Sequence, residues 1–217
     1  KLSGSFRKTA CAVEKMFFTA YWEQGTALLV RGNDVRNMGA FSLCRPGWAA
    51  KANSHSGQPI TSGSGTRESD PLESLNSQYT KRWANTVWGE IVHPTIGDVV
   101  RMASDYKDEL AVPWERLVWW KFDLKGAYTL LSYNSECVRR LGVELSNETF
   151  MFFTAGVFGL TGMPMAFNVI TKSIVWELNR MLKGRMVMYT DDGLCVSLME
   201  NVAEDQRIAL EFIRGLL

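Results

Sequence analysis

Hydrophobic positions are irregular over the first eighty residues and become regular from residue 81. Residues 1 to about 50 mix basic and aromatic side chains around one strand-like run, Thr26 to Arg31. Asn53 to Thr80 is dominated by Ser, Gly, Thr, Asn and Pro, too polar to offset chain entropy by burial, and is expected to be a mobile loop. Beyond it, Thr95 precedes Ile96, Val99, Val100, Ala103 and Tyr106 at helical spacing, with Asp98 three residues on. That is a capping box in which Asp replaces the usual Glu. Leu117 to Phe122 is β-branched and aromatic and reads as a buried strand ending on Asp123. Arg139–Leu145 and Thr149–Thr154 read as a hairpin across Ser146, Asn147 and Glu148. Pro164 opens a helix carrying Phe167, Ile170, Ile174, Leu178 and Met181 on one stripe, and Gly184 closes it. Met186–Tyr189 and Leu194–Leu198 are short strands joined through Thr190–Gly193, and Ile208 to Leu217 reads as helix. The order from residue 95, α, β, β, β, α, β, β, predicts an α+β fold with a central hairpin.

Composition narrows the classes. The chain has 217 residues, 46% hydrophobic, enough for a packed core. It opens on Lys1 and stops inside the apolar run ending at Leu217, so a fragment of a longer polypeptide is expected. A net charge of +1 lacks the basic surplus common in nucleic-acid enzymes, and it neither supports nor excludes such a partner. Cys11, Cys44, Cys137 and Cys195 form no C-x-x-C pair, so reduced thiols are expected. His55 and His93 leave little for a zinc site. The longest apolar stretch, Phe150 to Leu160, is too short for a bilayer, and no targeting segment is visible. The expectation is an intracellular protein, cytoplasmic or nuclear, not secreted and without a membrane partner.

The carboxylates carry the candidate chemistry. Asp123 ends a hydrophobic strand, and Asp191 and Asp192 share a hairpin tip. Adjacent carboxylates on a tight turn repel each other, and a bound cation offsets that repulsion. Hard oxygen ligands suit Mg²⁺, which is usually completed by water and substrate phosphates. Two such ions, roughly 3.5–4 Å apart, clamp the attacking and leaving oxygens of a phosphoryl transfer. Ordinary chemistry also accounts for these residues singly: Asp-Asp-Gly suits a turn, and Asp123 suits a strand end.

Three segments then resemble the palm motifs of reverse transcriptases, in the family's order. Phe122-Asp123-Leu124-Lys125-Gly126-Ala127-Tyr128 resembles the first and Gly156 to Phe167, with Phe158-Gly159-Leu160 and Pro164, the second. Tyr189-Thr190-Asp191-Asp192 resembles the third. Residues 94 to 200 match well and 20 to 93 loosely, in the manner of LTR-type or DIRS-like retrotransposons. Gly193 departs from the pattern, where the family usually carries a bulky apolar residue, and so do Gly162 and Met163 before Pro164.

The resemblance implies a polymerase palm, an antiparallel sheet backed by helices, over residues 94–217. It also implies a partial, loop-rich fingers region over 1–93, and no thumb. It implies an RNA-directed DNA polymerase that adds dNTPs to a primer 3′-hydroxyl on an RNA or DNA template. Two Mg²⁺ ions, or Mn²⁺ in substitution, would be held by Asp123, Asp191, Asp192 and the carbonyl of Leu124. Backbone N–H groups of Gly126 and Ala127 would hold the triphosphate, and Tyr128 would exclude a 2′-hydroxyl. Phe158 and Gly159 would line the nucleotide pocket, Arg67 would grip the triphosphate, and Tyr189 would pack at the primer terminus. Partner domains of the polyprotein would be an RNase H and an integrase or recombinase. Plainer readings stand beside these: Tyr128 as a core aromatic, Phe158-Gly159 as a strand end and turn, and Arg67 as a solvated arginine. An RNA-directed RNA polymerase and an inactive nucleic-acid-binding remnant are the rival functions. Trp83, Trp88, Trp119, Trp120 and Trp176 are expected to pack in the core, and His93 to be a loop residue.

Overall fold

The computed structural model describes residues 14–39, 41–44, 46–50, 57–61, 78–145 and 148–216. In chain order the elements begin with helix α1 (14–22, π-wound over Phe18–Trp22), β1 (Ala27–Arg31), α2 (Gly32–Asn37) and β2 (Leu43–Cys44). Then come β3 (Pro46–Ala50), β4 (Gly57–Thr61), α3 (Gln78–Trp88), α4 (Ile96–Leu110) and β5 (Leu117–Asp123). The rest are α5 (Ser135–Val138), β6 (Gly142–Glu144), β7 (Thr149–Phe153), α6 (Met163–Met181), β8 (Arg185–Tyr189), β9 (Asp192–Leu198) and α7 (Val202–Leu216). The chain forms two compact units that interleave along the sequence. One is Lys1–Gly89 with Tyr128–Met165, the other Glu90–Ala127 with Ala166–Leu217.

In the first unit a four-stranded sheet has the order β1-β7-β6-β2, antiparallel except for the parallel β2–β6 pair. Its core gathers Phe17, Tyr21, Leu141, Val143, Met151 and Phe153, and the Tyr21 and Phe153 rings meet edge-on at 4.9 Å. The segment expected as one loop contains strand β4, paired antiparallel with β3. Gly57-Gln58-Pro59 is thus part of a ribbon, Gln78–Thr80 open helix α3, and the remainder of the Ser/Gly-rich stretch lies outside the described residues. The strand expected over Arg139–Leu145 shrinks to Gly142–Glu144. A short helix, capped by Asn134 accepting the Cys137 N–H at 2.9 Å, and a turn at Arg139 and Arg140 occupy what precedes it.

In the second unit a three-stranded antiparallel sheet has the order β5-β9-β8. Helix α4 starts on the expected capping box: Thr95 Oγ1 accepts the Asp98 N–H at 3.2 Å and Asp98 accepts the Thr95 N–H at 2.9 Å. Its Ala103 and Tyr106 pack on Val196 and Leu117, covering part of one sheet face. Helix α6 buries Phe167, Ile174 and Leu178 as its spacing predicts, but Met181 is 46% exposed because the stripe drifts off the core in the last turn. Asn179 on α6 donates to the Met186 carbonyl at 2.9 Å and accepts its N–H at 2.8 Å. Met186 lies on an edge strand, so this side-chain amide occupies backbone groups that a further strand would otherwise pair. The arrangement is α+β, with antiparallel sheets backed by helices.

A buried network ties this unit together. The Asp205 carboxylate, fully buried on α7, accepts the N–H groups of Lys183 and Gly184 at 2.9 and 3.0 Å and the Ser197 hydroxyl at 2.6 Å. The Trp120 indole N–H donates to Ser197 Oγ at 3.0 Å. Gly184 has to be glycine here, since a Cβ would stand 2.3 Å from the Val196 carbonyl oxygen.

Candidate active site

The register of β5 against β9 sets Asp123 directly opposite Asp192. Side chains of directly paired residues share a sheet face. The two carboxylates therefore lie on one face at the open end of the sheet, both exposed. Asp191 precedes Asp192 in the turn: it is half-buried there, and its carbonyl accepts the Leu124 N–H at 3.0 Å. Burial pushes the Asp191 carboxyl above its ordinary range, and the charges of Asp123 and Asp192 push it further, against a lowering bond from its own backbone N–H. Asp123 and Asp192 are thus close enough for their charges to act on Asp191.

The turn itself is tighter than expected. Tyr189 pairs with Asp192, so only Thr190 and Asp191 form the loop, and Asp192 and Gly193 belong to β9. Thr190 has φ 57°, and Asp191 does not share a positive φ. That is the pattern of a hairpin turn strained at its first position, which glycine normally takes. The Thr171 hydroxyl on α6 donates to the Thr190 carbonyl at 2.9 Å. Gly193 is explained by its neighbour across the ladder: a Cβ there would stand 2.4 Å from the Phe122 ring. The ring of Phe122 occupies the space that a bulky residue at position 193 would need.

A cation at this end of the sheet would meet a particular set of donors. The donors are right in kind, hard carboxylate oxygens with excess negative charge. Among the described residues, however, no group of three His, Cys, Asp or Glu side chains is arranged to hold an ion. Coulombic influence on Asp191 reaches further than a shared ligand sphere does. A cation bound by one or two of these carboxylates would have to be completed by other oxygens, which is the usual habit of Mg²⁺.

The remaining site residues divide between the units. In the second, Leu124 and Ala127 are buried, Gly126 has φ 67°, and Tyr189 is 56% exposed with its ring stacked on His93 at 4.1 Å. His93 thus lies in the loop before α4, as expected, and in addition contacts a motif residue. A groove of about 390 Å³ beside Asp192 is lined by Pro94, Ile96, Lys121, Tyr189 and Leu194. A larger one, about 640 Å³, runs between α6 and β8 past His93, Lys172, Trp176 and Arg180 and includes none of the three carboxylates.

In the first unit, the half-buried Tyr128 ring meets Phe158 at 4.9 Å, and Gly159 turns at φ 95°. Gly156, within the second motif, allows this meeting. Its N–H donates to the Leu131 carbonyl at 2.8 Å, and a Cβ on it would stand 2.1 Å from the Tyr128 carbonyl oxygen. Arg67 lies outside the described residues. The tryptophan expectation fails in four of five cases. Trp120 is 9% exposed, but Trp83, Trp88, Trp119 and Trp176 are 55, 41, 43 and 60% exposed, because each lies on the uncovered side of its element.

No family model matches the sequence, and no curated protein matches it. The fold does have solved relatives. Telomerase from Candida albicans, in a complex with a TWJ fragment of telomeric RNA, matches 93% of this chain at a TM-score of 0.59 and 12% identity. The chain spans 43% of that telomerase chain. At this identity the likeness shows the fold alone. Among the described residues, no helix is long and apolar enough to cross a membrane.

Proposed function

We propose that this chain is the fingers-and-palm part of a retroelement reverse transcriptase, an RNA-directed DNA polymerase extending primers with dNTPs. The observation that carries the reading is the register of Asp123 opposite Asp192, with Asp191 in the adjoining turn raised by burial first and by the charges of both next. Repulsion of that kind destabilises a protein unless a cation relieves it, and its placement at the open end of a sheet leaves room for substrate. The three motifs and the telomerase-like fold support the same class.

Asp123 and Asp191 would be the principal ligands of Mg²⁺, with the Leu124 carbonyl, and Asp192 would add charge or a further oxygen. When bound, the ions would neutralise the phosphates and hold the attacking and leaving oxygens in line. Gly126, whose φ of 67° favours glycine, and Ala127 would offer backbone N–H groups to the triphosphate. Tyr128, Phe158 and Gly159 would shape the nucleotide pocket, Tyr189 the primer terminus, and Arg67 would grip the triphosphate. Fingers would span 1–93 and palm 94–217, within an intracellular polyprotein carrying RNase H and integrase or recombinase domains.

Primer extension by the parent polypeptide, on RNA and DNA templates, tests this. Mg²⁺-dependent incorporation of dNTPs is expected, with Asp191→Asn reducing it by at least about 10³-fold, the loss typical of a removed catalytic group. Extension that survives Asp191→Asn would remove the basis of the proposal. Preference for NTPs would identify an RNA polymerase, and template binding without extension an inactive binding module.

A further inference from the structure

We propose that Thr171 is a positioning residue for the catalytic turn, setting the orientation of the Asp191 carboxylate through a single peptide unit; this rests on the polymerase reading above. Thr171 sits in the middle of α6 and is 4% exposed. Its hydroxyl lies 2.9 Å from the Thr190 carbonyl oxygen and 3.2 Å from that of Phe167, one turn back on its own helix. A threonine hydroxyl has one proton to give. The shorter contact is the one that leaves the helix.

What that bond holds is the peptide plane joining Thr190 to Asp191. One end of the plane is the carbonyl that Thr171 engages. The other end is the Asp191 N–H, so the plane and the start of the Asp191 side chain turn together. Rotating the plane would therefore break the Thr171 bond and re-aim the carboxylate. On the far side of Asp191, its carbonyl is pinned by the Leu124 N–H at 3.0 Å. Both peptide units flanking the carboxylate are thus anchored, one to α6 and one to the end of β5.

An anchor is needed because the turn is strained. Thr190 is β-branched and held at φ 57°, a conformation that L side chains adopt rarely and at a cost. Such a residue relaxes unless its surroundings hold it. Relaxation would rotate the peptide and swing the Asp191 carboxylate away from Asp123 and Asp192. Thr171 therefore acts on the cation site without touching it, as second-layer partners of metal ligands do.

The test compares the wild type with Thr171→Val, nearly isosteric but without the hydroxyl, and Thr171→Ser, which keeps it. Tb³⁺ is titrated into the protein, its luminescence sensitised by nearby aromatic rings, and Mg²⁺ is used to displace it. Thr171→Val is expected to raise the Mg²⁺ concentration needed by about 10-fold. In primer extension it should lower kcat by about 10-fold while KM for dNTP changes less than about 2-fold. Thr171→Ser should restore both. If Thr171→Val melts below the assay temperature, Thr171→Cys, of similar size with a weak donor, is expected to shift both readouts the same way. A valine variant with wild-type Mg²⁺ displacement, or a serine variant as impaired as valine, overturns the positioning role and leaves the polymerase reading standing. A wild type that binds neither cation and extends no primer overturns both.

Discussion

Asp191 shows how one residue's environment opposes its own charge. Its pKa is raised in the folded state by burial first and by Asp123 and Asp192 next. A carboxyl raised above its unfolded value contributes stability below that value and loses it as pH rises through the raised one. The metal-free protein is therefore expected to lose stability as pH climbs from about 4 toward neutrality through this group. Asp191→Asn removes the repulsion, so its melting temperature at pH 7 should rise, about 2–4 °C per kcal/mol relieved. Mg²⁺ should stabilise the wild type and leave the asparagine variant nearly unmoved. Thermal melts of the two proteins with and without Mg²⁺ decide it; an Asn variant that melts lower would mean the carboxylate is held by bonds, not strained by charge. Tyr128 lends itself to a second measurement. Its ring packs on Phe158 at 4.9 Å, and in the proposed pocket it would overlap a 2′-hydroxyl at a cost of about 1–3 kcal/mol. Tyr128→Val should accordingly raise ribonucleotide over deoxyribonucleotide use by about 10- to 100-fold in matched kinetics. An unchanged ratio would leave the ring a packing role only.

Among the elements, the sheet β5-β9-β8 is supported by polar contacts as much as by apolar ones. Asn179 covers the β8 edge, Thr171 holds the turn, and Asp205 gathers three donors from β9 and from the segment between α6 and β8. Removing a buried acceptor strands its donors without water. Asp205→Ala, which strands three donors, is expected to cost at least about 3 kcal/mol in urea unfolding, while Ser197→Ala, which leaves the carboxylate two donors and strands the Trp120 indole N–H, should cost less. Equal losses would mean that the network acts as one unit. Most of these elements were legible from periodicity: the α4 capping box, the Leu117 strand, the Pro164 helix and the terminal hairpin all lie where apolar spacing and turn residues put them. Periodicity missed α1, α2, β2, β3 and the eleven-residue α3, which lie where apolar positions are irregular, and it missed β4, α5 and the 3₁₀ turn Ala127–Leu130, which are short. Three to five residues hold too few apolar positions to show a period.

At the scale of the whole molecule, the chain passes between the two units at residues 89–90, 127–128 and 165–166. Neither unit is a continuous stretch of sequence. A chain started at residue 94 would lose β1, the antiparallel partner of β7 over five residue pairs, Ala27–Phe153 to Arg31–Thr149. Left with β6 alone as a partner, β7, carrying Phe150 and Phe152, would become an aggregation-prone edge. Such a truncation is expected to aggregate, and amide exchange in whatever stays soluble should show β5, β8 and β9 protected and β7 open. Protection of β7 at wild-type levels would show that β1 contributes nothing to it.

The order of elements from α4 onward, the α+β class and the candidate carboxylates are properties of local sequence, because helical spacing, strand alternation and turn chemistry act over a few residues. What those carboxylates do to one another was decided only by the β5–β9 register, which brings together residues 69 positions apart and leaves no trace in periodicity. Exposure of the tryptophans, the fit of Phe122 over Gly193 and the roles of Thr171, Asn179 and Asp205 were likewise decided by tertiary contacts. A threonine or asparagine within a helix, or an aspartate in a helix's first turn, has the same appearance in sequence whether it faces solvent or a buried backbone group. Only packing determines which polar side chains lose their water, and those become the ones that hold the site.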